Sequence, residues 1–113
     1  MQRVKLSVII VSYNVCHYLE QCLHSVRRAM IGIQGDVWVV DNASTDGSVP
    51  YLKARFPEVH FIANTDNKGF SSANNQAIRQ AEGEYVLLLN PDTVVAEDTL
   101  RVCLNFLDSH PDV

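Results

Sequence analysis

The chain has 113 residues, 47% hydrophobic and 19% charged, with thirteen acids against nine Lys and Arg for a formal charge of −4. That length suits one domain, and the balance excludes the disordered and fibrous classes. The acidic excess argues against nucleic acid as a partner, which calls for a basic stripe. It does not argue against a nucleotide, whose charge a metal ion on carboxylates can meet.

The first apolar run, Leu6–Val11, follows Arg3 and Lys5 and superficially resembles a signal peptide. It is short, contains Ser7, ends in Ser12-Tyr13-Asn14 and lacks a small-residue cleavage site, so it reads as a buried strand. Leu19, Cys22, Leu23, Val26 and Met30 then recur at helical steps. A second strand is expected over Val37–Val40, then a short helix from Ser48 to Phe56, with Ser48 as its cap, Pro50 in its first turn and Pro57 closing it. Val59–Ala63 gives the third strand. Phe70, Ala73, Ala77, Ile78 and Ala81 give the third helix, with Gly83 as its stop. Tyr85–Leu89 is the fourth strand, and Leu100, Cys103, Leu104 and Leu107 mark a last helix ended by Pro111.

The near-continuous apolarity of the four runs predicts strands covered on both faces. Strand and helix alternate throughout, which implies an α/β fold: a parallel sheet with right-handed crossovers and helices on both faces. No stretch approaches the ~18 consecutive apolar residues of a membrane span. Cys16, Cys22 and Cys103 are odd in number and form no Cys-x-x-Cys pair, which fits small buried thiols in a reduced, cytosolic chain. Cys16 and His17 are neighbours on a helix and point different ways, which disfavours a zinc site.

In such sheets ligands bind beyond the carboxyl ends of the strands. The unusual polar segments fall there: Ser12-Tyr13-Asn14, Asp41 through Gly47, Asn64 through Gly69, and Asn90-Pro91-Asp92-Thr93. Asx and Gly are ordinary turn residues, so any one loop is explained by turn chemistry, and Asp41 or Asn14 by helix capping. Turn chemistry does not explain Tyr13, an aromatic at the strand edge, together with acids at the ends of two strands. Tyr13 offers a flat face for a base, worth ~1–3 kcal/mol. Asp41 or Asn42 can read a base edge or ribose, and Asp92 is placed to ligate a hard cation bridging a diphosphate. With no Gly-x-x-x-x-Gly-Lys loop and no Gly-x-Gly-x-x-Gly turn after the first strand, P-loop and dinucleotide readings lose their signature.

Leu6 through Asn14, Val39 through Ser48, Asn67-Lys68-Gly69-Phe70, Ala73-Asn74-Asn75 and Leu89 through Thr93 together resemble family-two glycosyltransferases of the GT-A fold, from about Leu6 to Val113. The resemblance implies strand order three-two-one-four. It also implies that residues 1–113 are the nucleotide-sugar-binding part of a longer domain. The acceptor-binding part and the catalytic base are expected beyond this chain, so no catalytic residue is named and the fragment alone is expected to be inactive. Ser12, Tyr13, Asp41, Asn42, Asn67 and Gly69 would bind the nucleotide, with Tyr13 stacked on uracil or thymine. Where the family often has two acids, Asn42 follows Asp41. Asp92 matches the last acid of the Asp-x-Asp metal motif, and Asn90 stands in place of the first.

The implied cofactor is Mg²⁺ or Mn²⁺. The implied reaction is inverting transfer from a UDP- or dTDP-sugar to a glycan or lipid-linked acceptor, as in the rhamnosyl and polysaccharide transferase branch. The expected location is cytoplasmic, with the longer protein peripheral at the inner face of the membrane. The fragment is expected to self-associate through the Tyr85–Leu89 edge. Three other readings fit less well. A sugar nucleotidyltransferase usually opens with a Gly-rich basic loop where Ser12-Tyr13-Asn14-Val15 stands. A receiver-like regulatory domain needs an acidic pair after the first strand. A purely structural domain leaves the clustered polar loops unexplained.

Overall fold

The computed structural model describes residues 3–112; Met1, Gln2 and Val113 of the expected domain lie outside the described residues. The elements run β1 (Leu6–Ser12), α1 (Cys16–Ala29), β2 (Gly35–Asn42), α2 (Ser48–Arg55), β3 (His60–Asn64), α3 (Phe70–Ile78), β4 (Tyr85–Leu89) and α4 (Thr99–Ser109). All three strand pairings are parallel, and the sheet order is β3-β2-β1-β4. Both the alternating pattern and the order implied by the resemblance are borne out.

Successive strand residues face opposite sides of the sheet. Leu6, Val8 and Ile10 of β1 and Val37 and Val39 of β2 pack against α1, α2 and α4 through Leu19, Leu23, Val26, Leu52, Leu100 and Leu104. Ile9 and Val40 face the other way, onto Ala73 and Ala77 of α3. Helices do lie on both faces, but three cover one face and α3 alone covers the other. One helix cannot span four strands, so the expectation that every strand is covered twice fails at the edge. Val86 and Leu88 of β4, on the α3 side, are 45% and 47% exposed.

Boundaries shift where backbone pairing outruns the apolar run. β2 extends from Gly35 to Asn42, two residues beyond Val37–Val40 at each end, because β1 pairs with it along its whole length through Ser12↔Asp41. β3 begins at His60, since the Val59 amide is taken by Phe56 O in the preceding turn. Ser48 is the first residue of α2 rather than its cap; the cap position is Gly47. Gly83 is not a helix stop, for α3 ends at Ile78. Gly83 marks a close approach instead: its amide donates to Ser7 Oγ at 3.0 Å, and a Cβ there would lie 2.5 Å from the Ser7 amide nitrogen.

Candidate functional site

The four polar loops do meet at the carboxyl edge. β1 lies between β2 and β4, so Tyr13 is central, Asp41 stands on the neighbouring strand, and the turn carrying Asp92 follows the strand on the other side. With strands ~4.8 Å apart, the flanking segments are about 10 Å from each other across β1. Tyr13 is 51% exposed and Asp92 is exposed, so this edge is an open shelf rather than a closed pocket.

Asp41 and Asn42 diverge because they are adjacent in a strand. Asp41, 3% exposed, turns to the α1 side, where Oδ2 accepts the Ser44 amide at 2.8 Å and Oδ1 the Ser44 hydroxyl at 2.5 Å. Each oxygen keeps one lone pair not used in these bonds. Asn42 turns to the α3 side. Its Nδ2 donates to Gly69 O at 3.2 Å, while Oδ1 accepts Asn64 Nδ2 at 3.0 Å and the Lys68 amide at 3.4 Å. Asn64 and Gln76 exchange a reciprocal pair of amide hydrogen bonds at 2.8 and 2.9 Å. Asn42 therefore braces the loop that carries Asn67 and Gly69, with one N–H left over. In that loop Asn67 Oδ1 accepts the Gly69 amide at 2.9 Å, and Gly69 has φ 82 and ψ 169, a region open almost only to glycine. Ser12 is buried on the α1 side beside Asp41, and its hydroxyl has no hydrogen-bond partner among the described residues.

Sequence reasoning read Asn14 as a cap and Ala43 through Asp46 as turn residues, missing that they tie these loops to one another. Asn14 and Ala43 both adopt left-handed conformations, with φ 51 and 64. For Ala43 that costs on the order of 1–3 kcal/mol and persists only under surrounding constraint. The constraint comes from across the seam. The Asn14 amide donates to Ser44 Oγ at 2.9 Å, and the Thr45 amide to Asn14 Oδ1 at 2.7 Å. Partial burial alone would raise the Asp46 carboxyl. Hydrogen bonds from the Ser48 hydroxyl and from the Cys16 and Ser48 amides win, holding it below the usual carboxylate range. The signal was an Asp-Gly pair just before a helical run, the place where side-chain capping is common.

Asn90 and Asp92 occupy a tight turn closed by the Thr93 amide donating to Asn90 O at 3.1 Å. That carbonyl also receives the Cys22 thiol at 3.8 Å, and Ser25 Oγ accepts the Val95 amide at 3.0 Å, so α1 fixes this segment. Burial first, then the nearby Asp92 charge, push the Cys22 thiol up to about 11. Among the described residues no three His, Cys, Asp or Glu side chains are grouped to hold an ion unaided. Asp92 and Asn90 carry hard oxygen donors of the kind Mg²⁺ and Mn²⁺ prefer.

Residues 7–113 match the family described as glycosyl transferase family 2. The chain belongs to that family. Family-two relatives include the minor teichoic acid biosynthesis protein GgaB of Bacillus subtilis, 36% identical over 92% of this chain and 12% of that protein. The chondroitin synthase of Escherichia coli is 34% identical over 93% and 16%, and the poly(ribitol-phosphate) beta-N-acetylglucosaminyltransferase TarS of Staphylococcus aureus 30% over 95% and 19%. The chain thus spans less than a fifth of the length of these relatives. The crystal structure of TarS residues 1–349 with UDP superposes with a TM-score of 0.84 at 28% identity, covering 96% of this chain and 33% of that one. The mannosyltransferase PcManGT of Pyrobaculum calidifontis, in complex with GDP-Man and Mn²⁺, gives 0.79 at 29%, covering 95% and 33%. The GT-A arrangement implied by the resemblance is thereby shown, and the nucleotidyltransferase and receiver-like readings give way.

Proposed function

We propose that this chain is the donor-binding part of a glycosyltransferase that uses a nucleoside-diphosphate sugar, with UDP or dTDP as the nucleotide, to build a cell-surface polysaccharide. The observation that carries this is the juxtaposition, at the end of the central strand, of a half-exposed Tyr13 and a buried Asp41 with free lone pairs. A ring for stacking beside an acceptor for a base or ribose donor is what a nucleoside requires. A solved family-two relative in complex with UDP supports the same ligand class.

Lys68 is the one cation in the four edge loops, and it pairs with Asp66 at 3.1 Å. A diphosphate at this edge therefore needs further positive charge. A divalent ion held by Asp92 and Asn90 would supply it, stabilising charge on a departing diphosphate. Ser12, Asn67 and Gly69 complete the proposed nucleotide contacts. Transfer proceeds with inversion to a glycan or lipid-linked acceptor, in the cytoplasm or at the inner face of the membrane.

The decisive experiment is a thermal-shift panel of UDP, dTDP and GDP with and without Mn²⁺. At a hundredfold excess over Kd, a ligand selective for the folded chain stabilises it by ~2.7 kcal/mol. UDP or dTDP should raise the midpoint, and Mn²⁺ should enlarge the gain. No shift with any nucleotide would end this reading.

The isolated chain should also self-associate. The Tyr85 amide donates to Lys5 O at 3.0 Å, so the alternate residues Val86 and Leu88 turn their backbone groups away from β1, toward an edge on which no described strand pairs. On the α4 side of the same strand lies a hollow of about 320 Å³ lined by Leu87, Leu89, Leu100, Cys103, Leu104 and Leu107. Such an edge is a template for intermolecular pairing. Light scattering should show mass above the monomer, lowered by Leu88→Lys; a monomer at high concentration would refute the association.

A further inference from the structure

Two helices of this chain begin at the same carboxylate. Asp46 Oδ2 accepts the amide of Cys16, the first residue of α1, at 3.1 Å. Its Oδ1 accepts the amide of Ser48, the first residue of α2, at 3.1 Å, and the Ser48 hydroxyl as well. Neither cap residue, Val15 or Gly47, offers a side-chain cap, and neither helix has an acid in its first turn. Asp46 is thus the negative charge at both positive helix ends. It lies in the loop after β2, yet it fixes where the chain leaving β1 enters α1. Tyr13 precedes that entry by three residues, and Asp41 closes β2 on the other side of the seam.

The geometry points to Asp46 as the positioning residue that sets Tyr13 against Asp41, by locking the loops after β1 and β2 to one another. The inference rests on the nucleoside-diphosphate reading of this edge. The Asn14–Ser44 and Thr45–Asn14 hydrogen bonds lie within the same seam, but they join loop to loop. Among the described residues Asp46 alone joins the loops to both packed helices, whose buried faces give the seam a rigid support.

The anchor can be read without any ligand. In the ¹⁵N-labelled chain, the Cys16 and Ser48 amide proton shifts should move together through an acid titration, with one midpoint below that of an ordinary aspartate. His17 and Glu20 of α1 and Tyr51 of α2 line the hollow of about 370 Å³ beside Asp46, and Arg55 pairs with Glu20. Glu20→Gln should therefore leave the shared midpoint in place. Separate midpoints for the two amides, or a midpoint that moves away with Glu20→Gln, would overturn the shared anchor.

Positioning is read from UDP affinity in a double-mutant cycle. Asp46→Ala should weaken UDP about tenfold, and Tyr13→Ala should cost much less in that background than in the parent, because the ring is no longer held in place there. Asp46→Asn, which keeps the shape and still accepts from one helix, should fall between, and it carries the cycle if the alanine variant unfolds. An equal cost of Tyr13→Ala in both backgrounds would refute the positioning role. Failure of the parent chain to bind UDP would instead refute the nucleotide reading, leaving the amide titration to decide the anchor.

Discussion

Removing the Tyr13 ring should weaken nucleotide binding by one to two orders of magnitude without touching the fold. A Tyr side chain offers ~200 Å² of surface, and Tyr13 is 51% exposed, so roughly 100 Å² is open to a ligand. At ~25 cal/mol per Å², full cover would be worth ~2.5 kcal/mol. A base lies against one face only, so about half to all of that is realised, within the ~1–3 kcal/mol seen when stacking residues are truncated. That is a loss of roughly 10- to 70-fold in Kd. Tyr13 belongs to neither buried cluster, so Tyr13→Ala should unfold at nearly the same temperature as the parent. Tyr13→Phe keeps the face and should bind nearly as well. Isothermal titration of UDP and of uridine into the three proteins makes the measurement. Equal affinity of parent and Tyr13→Ala would show that no base stacks there.

Asp92→Ala should abolish the Mn²⁺-dependent gain in UDP affinity while leaving uridine binding nearly intact; equal loss of both would assign Asp92 to the turn alone. Gly83→Ala should destabilise by about 1–3 kcal/mol or more in urea, because the new methyl meets the Ser7 amide at 2.5 Å and Tyr85 O at 2.6 Å, both backbone atoms. Alkylation at pH 8 should label the exposed Cys103 first and spare Cys22, buried and held at about 11, until the chain unfolds. Acid should unfold the chain progressively. Asp46 and Glu58 have folded pKa values below their ordinary ones, so their contributions are complete above about pH 4 to 5 and are lost as pH falls through the folded values. A midpoint independent of pH between 5 and 2 would contradict this.

The fold was legible because its signals are periodic: Leu19, Leu23 and Val26 at helical steps, and apolar runs separated by Asx and Gly. The edge was legible because Tyr13 and Asp92 each follow a strand and Asp41 stands at the carboxyl end of one. What the sequence hid depends on direction and distance. Alternation along β2 sends Asn42 away from Asp41, but its engagement with Gly69, Asn64 and Lys68 required the three-dimensional loop. Asp46 read as a turn residue, since nothing along the chain announces that the amide 30 residues earlier comes to it. Gly83 read as a helix stop because close approach of Ser7, 76 residues away, leaves no local mark.

The two sides of the carboxyl edge are fastened by different chemistry. The loop of Asn67 and Gly69 hangs on Asn42, Asn64 and Gln76, carboxamides that neither titrate nor feel salt. The seam beside Tyr13 hangs on Asp46, which must stay ionised to accept all that it holds. Acidification would therefore open this edge like a door with one hinge of steel and one of wax. The Tyr13 side would slacken first, while the glycine loop opposite stays shut on its amides.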